Sequence, residues 1–438
     1  MTSSVELTQD LVRFRTINPP GDELACAERL ASLLENAGFA VDLVPFGEGR
    51  AQLVARIGGA SGKPAIGFTG HLDTVPLGAQ LWTVDPLAAD IKDGKLYGRG
   101  SSDMKSGVAA FVTACAALGG KLANTPGVVL YITAREETGC TGAAALAHAE
   151  TPLPRVGALV VAEPTGNRAL VGHKGALWLE AVTTGVTAHG SMPEKGVNAV
   201  YKVARAVSAL QDFDFNFARH DVLGGPTLNV GTIKGGLNIN SVPDRAAIGI
   251  DIRTIPGQSH AKIRDQLATY LGGDVALSTL LDAESVWTRP DDAWIGEIFR
   301  IAHDVAGFDS DPAGAPYFTD ASVLTPAIGS PPTAIIGPGE LALAHQTDEY
   351  CLVSRIEQAT EIYSRSGAAD YSAAMRTSGA AALMSGVTCC SNFEKFFWNI
   401  PTRSRAVLSN SALSFQVLKG LSRCGSTPGT EVGTEKPK

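Results

Sequence analysis

The chain has 438 residues, 45% hydrophobic and 18% charged, which excludes wholesale disorder and exceeds one typical domain, so two domains are the natural expectation. A net charge of -8 gives no electrostatic ground for nucleic acid or an anionic membrane as partner, leaving small molecules or peptides. No basic segment leads into an apolar core at the N-terminus, no apolar run reaches the roughly 18 to 20 residues that span a bilayer, and seven cysteines lack CxxC spacing. A soluble cytoplasmic protein in a reducing compartment is expected.

In chain order, residues 5–38 read as helical, broken at Asn18-Pro19-Pro20-Gly21, with the second helix over 23–37. Short β-branched runs at 40–45, 51–57, 65–69, 127–133 and 158–162 then alternate with helices at 106–118 and 142–149. Such alternation predicts an α/β domain with a largely parallel sheet, whose ligands collect beyond the carboxyl ends of the strands. Between 174 and 283 the order changes to strand (176–184), helix (197–210), two strands (227–234, 245–254), helix (260–271) and strand (275–281). That βαββαβ order is the ferredoxin-like split unit, inserted into the first domain. The α/β style resumes with a helix at 294–306, an apolar run at 333–336 and a helix near 353–364. The expected division is therefore 1–173 with 284–367, an insert at 174–283, and an atypical extension at 368–438. The extension holds Cys389-Cys390 and the aromatic group Phe393, Phe396, Phe397 and Trp398, and its last 15 or so residues read as a disordered tail.

Chemistry-bearing residues gather at strand ends. The stretch from Gly67 to Pro76 places His71 and Asp73 two apart, on one side of a strand's end, where a carboxylate can orient a metal-binding imidazole. Alone, His-x-Asp is a weak signal. A glycine-rich loop, Gly98 to Gly107, delivers Asp103 to the mouth of a helix and lacks the spacing of a phosphate cradle. The strand at 127–133 leads to Glu136-Glu137, of which one can bind metal while its neighbour stays free as a base. A third strand ends at Glu163, and His345 lies in a downstream loop. Two histidines (His71, His345) and three carboxylates (Asp103, Glu137, Glu163), with Asp73 and Glu136 left over, exceed one catalytic zinc and suit two metals sharing a carboxylate. Nitrogen and oxygen ligands without thiolate allow Zn2+, Co2+ or Mn2+.

The segments GHLDTVP, LYGRGSSDMKSG, REETG, AEPTG, TAHGSMPEKGVNA and DIRTIPG, in this order, resemble the M20 family of dinuclear zinc metallopeptidases and deacylases. More narrowly they resemble its acetylornithine deacetylase and succinyl-diaminopimelate desuccinylase group, over about residues 5–367. The resemblance implies a zinc exopeptidase-like catalytic domain with an inserted dimerisation (lid) domain. It implies two Zn2+: one on His71 and Glu163, the other on Glu137 and His345, with Asp103 bridging. Asp73 would orient His71, and Glu136 would be the general base for a bridging hydroxide attacking the amide. His189 matches the histidine that reaches a partner subunit's site and stabilises the oxyanion; Asn240 and Arg253 match substrate-binding positions. Thr319, with Asp320, lies in a loop expected to contact substrate, and Arg253 in a strand can equally form a structural ion pair.

The expected activity is therefore removal of the acyl group from an N-acyl amino acid, by a homodimer. The rivals are a dipeptidase, a carboxypeptidase releasing a C-terminal amino acid, and a non-catalytic binding protein on the same fold. The complete ligand set and base argue against the last. One departure is Arg135, where the desuccinylase branch tends to carry Asp before the paired glutamates.

Overall fold

The computed structural model describes residues 2–59, 62–309 and 311–368. The extension after Ala368, with its aromatic group and expected disordered tail, lies outside them. Helices α1 (Ser4–Arg13) and α2 (Leu24–Asn36) lead to strands β1 (Ala40–Pro45), β2 (Ala51–Ile57) and β3 (Ala65–His71). A small pair, β4 (Ile91–Lys92) and β5 (Lys95–Tyr97), precedes α3 (Ser106–Leu118), β6 (Val128–Thr133), α4 (Thr141–Ala147) and β7 (Val156–Val161). Then come β8 (Gly172–His173), β9 (Gly175–Thr184), α5 (Ala199–Leu210), β10 (Thr227–Gly235), β11 (Arg245–Thr254), α6 (His260–Leu271) and β12 (Val275–Ala283). The rest is β13 (Val286–Trp287), α7 (Ala293–Ala306), α8 (Ala321–Ala327), β14 (Thr333–Ile335), β15 (Tyr350–Leu352) and α9 (Val353–Ala368).

The large sheet has the order β1-β2-β6-β3-β7-β14. Its parallel part is β6, β3, β7 and β14, whereas β1 and β2 run antiparallel at one edge. The expected parallel arrangement holds for β6, β3, β7 and β14, and the sheet is mixed only at its β1–β2 edge: the short 46–50 connection closes a hairpin, and a connection of that length cannot make a parallel crossover. Continuous burial along β6, whose sequence is VVLYIT, follows from helices covering both sheet faces. The nearly all-apolar α3 is buried along most of its length against β3 and α9. Gly107 at its start is required by close approach, since a Cβ there would fall against the Ala162 carbonyl oxygen beside Glu163.

Residues of β9 to β12 form a separate four-stranded antiparallel sheet, order β10-β11-β9-β12. Burial alternates along β11 and β9 because α5 and α6 cover one face, where Leu177, Leu179, Ile248, Ile250 and Ile252 meet Val203, Ile263 and Leu267. The edge strand β10 is largely exposed, its Ile233 included, and Leu237 and Ile239 stand open just after it. Among the described residues the four cysteines Cys26, Cys115, Cys140 and Cys351 are buried and unpaired, and no helix is long and apolar enough to cross a membrane.

Candidate active site and metal centre

The site is built where parallel strands stop. At the end of β3 the His71 imidazole is buried, and its Nδ1 lies 2.9 Å from the Asp73 carbonyl oxygen and 3.5 Å from Asp73 Oδ1. A carbonyl can only accept, so Nδ1 carries the proton and Nε2 faces forward. His71 Nε2 stands 3.3 Å from Asp103 Oδ1. Across the same carboxylate, His345 Nε2 lies 3.4 Å from Asp103 Oδ2 and 3.1 Å from Glu137 Oε2. His71, Asp103 and Glu163 bring one ligand atom each within 4.8 Å of one another, and Asp103, Glu137 and His345 do the same. Asp103 belongs to both groups, with one oxygen towards each histidine.

Electrostatics in this cluster follow from crowding. Burial raises the carboxyls of Glu137 and Glu163, and Asp103 raises them further. Glu136 is pushed well above the ordinary range by burial, with Glu163 and Asp320 adding to it. Burial opposes the charged form of His71, yet Asp103, Glu163, Asp73 and Glu136 together push it well up; Asp103 and Glu137 push His345 up to about 10. Burial also works against ionised Asp103, but the two histidines hold it well below the carboxylate range. Asp103 Oδ1 is buried without a hydrogen-bond partner among the described residues. An orphaned carboxylate oxygen between two imidazoles and two further carboxylates, with no thiolate, fits two divalent cations of borderline softness.

Glu136 lines the same cavity but belongs to neither ligand group; its carboxylate lies 3.6 Å from the Cys140 thiol, which donates to it. The Asp73 carboxylate, expected to orient His71 and 3.5 Å from its ring, also accepts from the backbone N–H groups of Glu136 at 3.0 Å and Glu137 at 3.3 Å, and from Asn18 Nδ2 at 2.9 Å. It is the Asp73 carbonyl that sits closer to the His71 ring. A cavity of about 310 Å³ opens over the cluster, its outer wall made by Pro164, Trp178, Arg253, Tyr317, Phe318 and Leu341. Arg253 donates from Nε and Nη2 to Asp251 Oδ2 and lies over the Phe318 ring at 5.6 Å, while Trp178 Nε1 donates to Asp251 Oδ1. Arg253 is therefore both ion-paired and cavity-lining.

Three sequence-derived residues lie elsewhere. Thr319 is a correction: it is fully buried, and its hydroxyl accepts from the Ala321 N–H, starting α8, while its neighbours Tyr317 and Phe318 face the cavity. His189 and Asn240 are exposed and neighbour each other, Gly190 N–H donating to the Asn240 carbonyl, and neither lines this cavity. The sequence reading missed Trp178, Tyr317, Phe318 and Asp251, whose side chains meet only through tertiary packing; the one available signal was that Asp251 and Arg253 alternate on one strand face.

Residues 67–367 match the family described as Peptidase family M20/M25/M40. The chain belongs to that family. A probable succinyl-diaminopimelate desuccinylase of Staphylococcus epidermidis is 31% identical, over 79% of this chain and 92% of the relative. An acetylornithine deacetylase of Proteus mirabilis is 32% identical, over 76% of this chain and 86% of the relative. Among solved structures, an M20 family metallo-carboxypeptidase from Sulfolobus solfataricus superimposes with a TM-score of 0.66 at 18% identity, covering 84% of this chain and 98% of the other. A dinuclear metal binding M20 peptidase of Bacillus subtilis gives 0.62 at 15% identity, covering 83% and 96%. At such identities these two speak for the fold alone. This M20 chain is a hydrolase of amide bonds.

Proposed function

We propose that this M20 enzyme removes the acyl group from N-acyl amino acids at a two-metal site. The observation that carries the reading is Asp103, whose two oxygens face His71 at 3.3 Å and His345 at 3.4 Å. His71 and Glu163 would hold one Zn2+, Glu137 and His345 the other, and Asp103 both; Co2+ or Mn2+ suits the same donors. Two such cations supply the positive charge that makes a water acidic near neutral pH and polarises an amide carbonyl.

The chain's own residues do the rest. The Glu136 carboxylate, 7% exposed, takes a proton from the attacking water and returns it to the departing amine nitrogen. Asp73 fixes that base by holding its backbone N–H. Arg253, its direction set by Asp251, offers its remaining N–H groups to a substrate carboxylate, and the aromatic wall excludes water.

Residues 174–283 would serve as dimerisation and lid domain. The support is the free outer edge of β10, a strand that carries the exposed Ile233 and leads to the exposed Leu237 and Ile239, on a sheet with its own apolar cluster. In a two-fold dimer His189 of a second copy would reach the site and stabilise the oxyanion, with Asn240 beside it.

Metal analysis followed by a substrate panel tests the reading: N-acetylornithine, N-succinyl-diaminopimelate, other N-acyl amino acids and dipeptides. Two metal equivalents with amide hydrolysis of N-acyl amino acids is the expected result. Faster turnover of dipeptides would instead make the chain a peptidase.

A further inference from the structure

The buried residue Glu349 has no part in either ligand group, yet its carboxylate is the most heavily bonded one near the site. Oε1 accepts from the N–H groups of Ser102 at 2.8 Å and Asp103 at 3.1 Å; Oε2 accepts from Gly100 N–H at 3.1 Å and Arg99 Nη1 at 2.5 Å. Arg99 is itself buried, and its Nη2 donates to the carbonyls of Pro76 at 3.2 Å and His345 at 3.4 Å. One carboxylate and one guanidinium thus tie together the loop that carries Asp103 and the loop that carries His345. The neighbouring Asp348 anchors the second loop again, accepting from Thr83 N–H at 2.8 Å and Thr83 Oγ1 at 2.9 Å.

The two histidines differ in what else holds them. His71 ends a strand paired on both sides, with β6 and β7, and its ring is buried. His345 sits in a loop with φ of 64° and a side chain 50% exposed, so it is held through its loop, and Arg99 supplies the side-chain contact to its own backbone carbonyl. We propose that Glu349 is a positioning residue for the Asp103–Glu137–His345 half of the site, acting through Arg99 and through the backbone of 100–103. The inference rests on the two-metal reading above. It says further that the two metal equivalents bind with separable affinities, and that the Glu349–Arg99 pair supports the one on His345 more than the other, because Asp103 serves both while the Arg99 contact reaches only the His345 loop.

The experiment is a calorimetric titration of metal-stripped full-length protein with Zn2+, repeated with Co2+ and followed by absorption. In Glu349→Gln one acceptor becomes an NH2 facing N–H donors. The expected result is a second step weakened by about 10- to 100-fold, the usual cost of losing an outer partner of a ligand, with the first step changed much less. Arg99→Lys, which keeps a cation but not the fork reaching the His345 carbonyl, should show the same split in milder form, and it carries the test if Glu349→Gln does not fold. Equal weakening of both steps, as a general loosening of the fold would give, overturns the proposal, and so does no weakening. Wild-type protein that takes up a single equivalent overturns the two-metal reading itself, and this inference falls with it.

Discussion

The Glu136 backbone N–H donates to Asp73 Oδ1 at 3.0 Å, so the carboxylate after β3 fixes the turn after β6 that carries the proposed base and a metal ligand. Asp73→Asn keeps the shape but sets an NH2 either against the Glu136 N–H or against the Glu137 N–H and the Asn18 amide together. Folding should weaken by about 1 to 3 kcal/mol for the mismatched buried groups, and kcat/KM should fall by roughly 10- to 100-fold through the displaced turn. Urea unfolding and steady-state kinetics read the two effects, and a fully active variant would remove Asp73 from the machinery.

Glu136→Ala removes the proton carrier without touching either ligand group. Both metal equivalents should stay bound while kcat drops by about 10²- to 10⁴-fold, the usual range for a general base. Near-wild-type turnover sinks the assignment; loss of metal would move Glu136 among the ligands.

If His189 acts in a second copy's site, mixing inactive His189→Ala chains with inactive Glu136→Ala chains should restore activity. After free exchange, half of the dimers are mixed and each has one complete site, so about a quarter of wild-type turnover should return. Mixtures as inactive as their parents would count against shared sites.

Arg253→Lys keeps the charge but loses the planar fork, so Asp251 and a substrate carboxylate cannot both be served. KM for carboxylate-bearing substrates should rise about tenfold with a smaller effect on kcat, the signature of lost binding common to ground and transition states. An unchanged KM would leave Arg253 with its ion-pair role alone.

Burial holds the His173 imidazole down to about 4, with its Nδ1 donating to the Lys174 carbonyl at 2.8 Å. Its ordinary value is 6.5, so between these limits the unfolded chain binds the proton and the fold does not. The stability tied to neutral His173 is complete above pH 6.5 and lost as pH falls towards 4, about 3 kcal/mol in all. His173→Asn retains a donor without the titration. The stability gap between wild type and this variant, from unfolding at each pH, should shrink by that amount between pH 7 and 4; a constant gap refutes it.

Runs such as VVLYIT and AVDLVP declared their strands because β-branched density and length leave few alternatives, and the acidic and histidine residues after them marked a site at strand ends. The small pair β4–β5 and the short β8, β13 and β15 were invisible, since two or three residues carry no period. The direction of the β1–β2 hairpin was also lost under the alternation of strands and helices. The loop around Thr319 suggests a substrate contact, but a hydroxyl two residues before a helix serves that helix's N–H groups as readily as a ligand, and only packing decides. Glu349 passed unnoticed because its donors lie some 250 positions upstream.

Strand β14 closes the large sheet by setting Thr333 beside Leu159 of β7, whereas all four strands of the smaller sheet lie between Gly175 and Ala283. During synthesis from the N-terminus the smaller sheet is complete while β7 is still an open edge, and His345 and Glu349 emerge later still. This order predicts that the enzyme's chemistry is the last thing the growing chain acquires, after a period with an unpaired parallel strand exposed to other nascent chains. Chains truncated before residue 333 should accordingly resist protease across 175–283 while aggregating through the uncovered β7, and protection of β7 in such truncations would contradict that order.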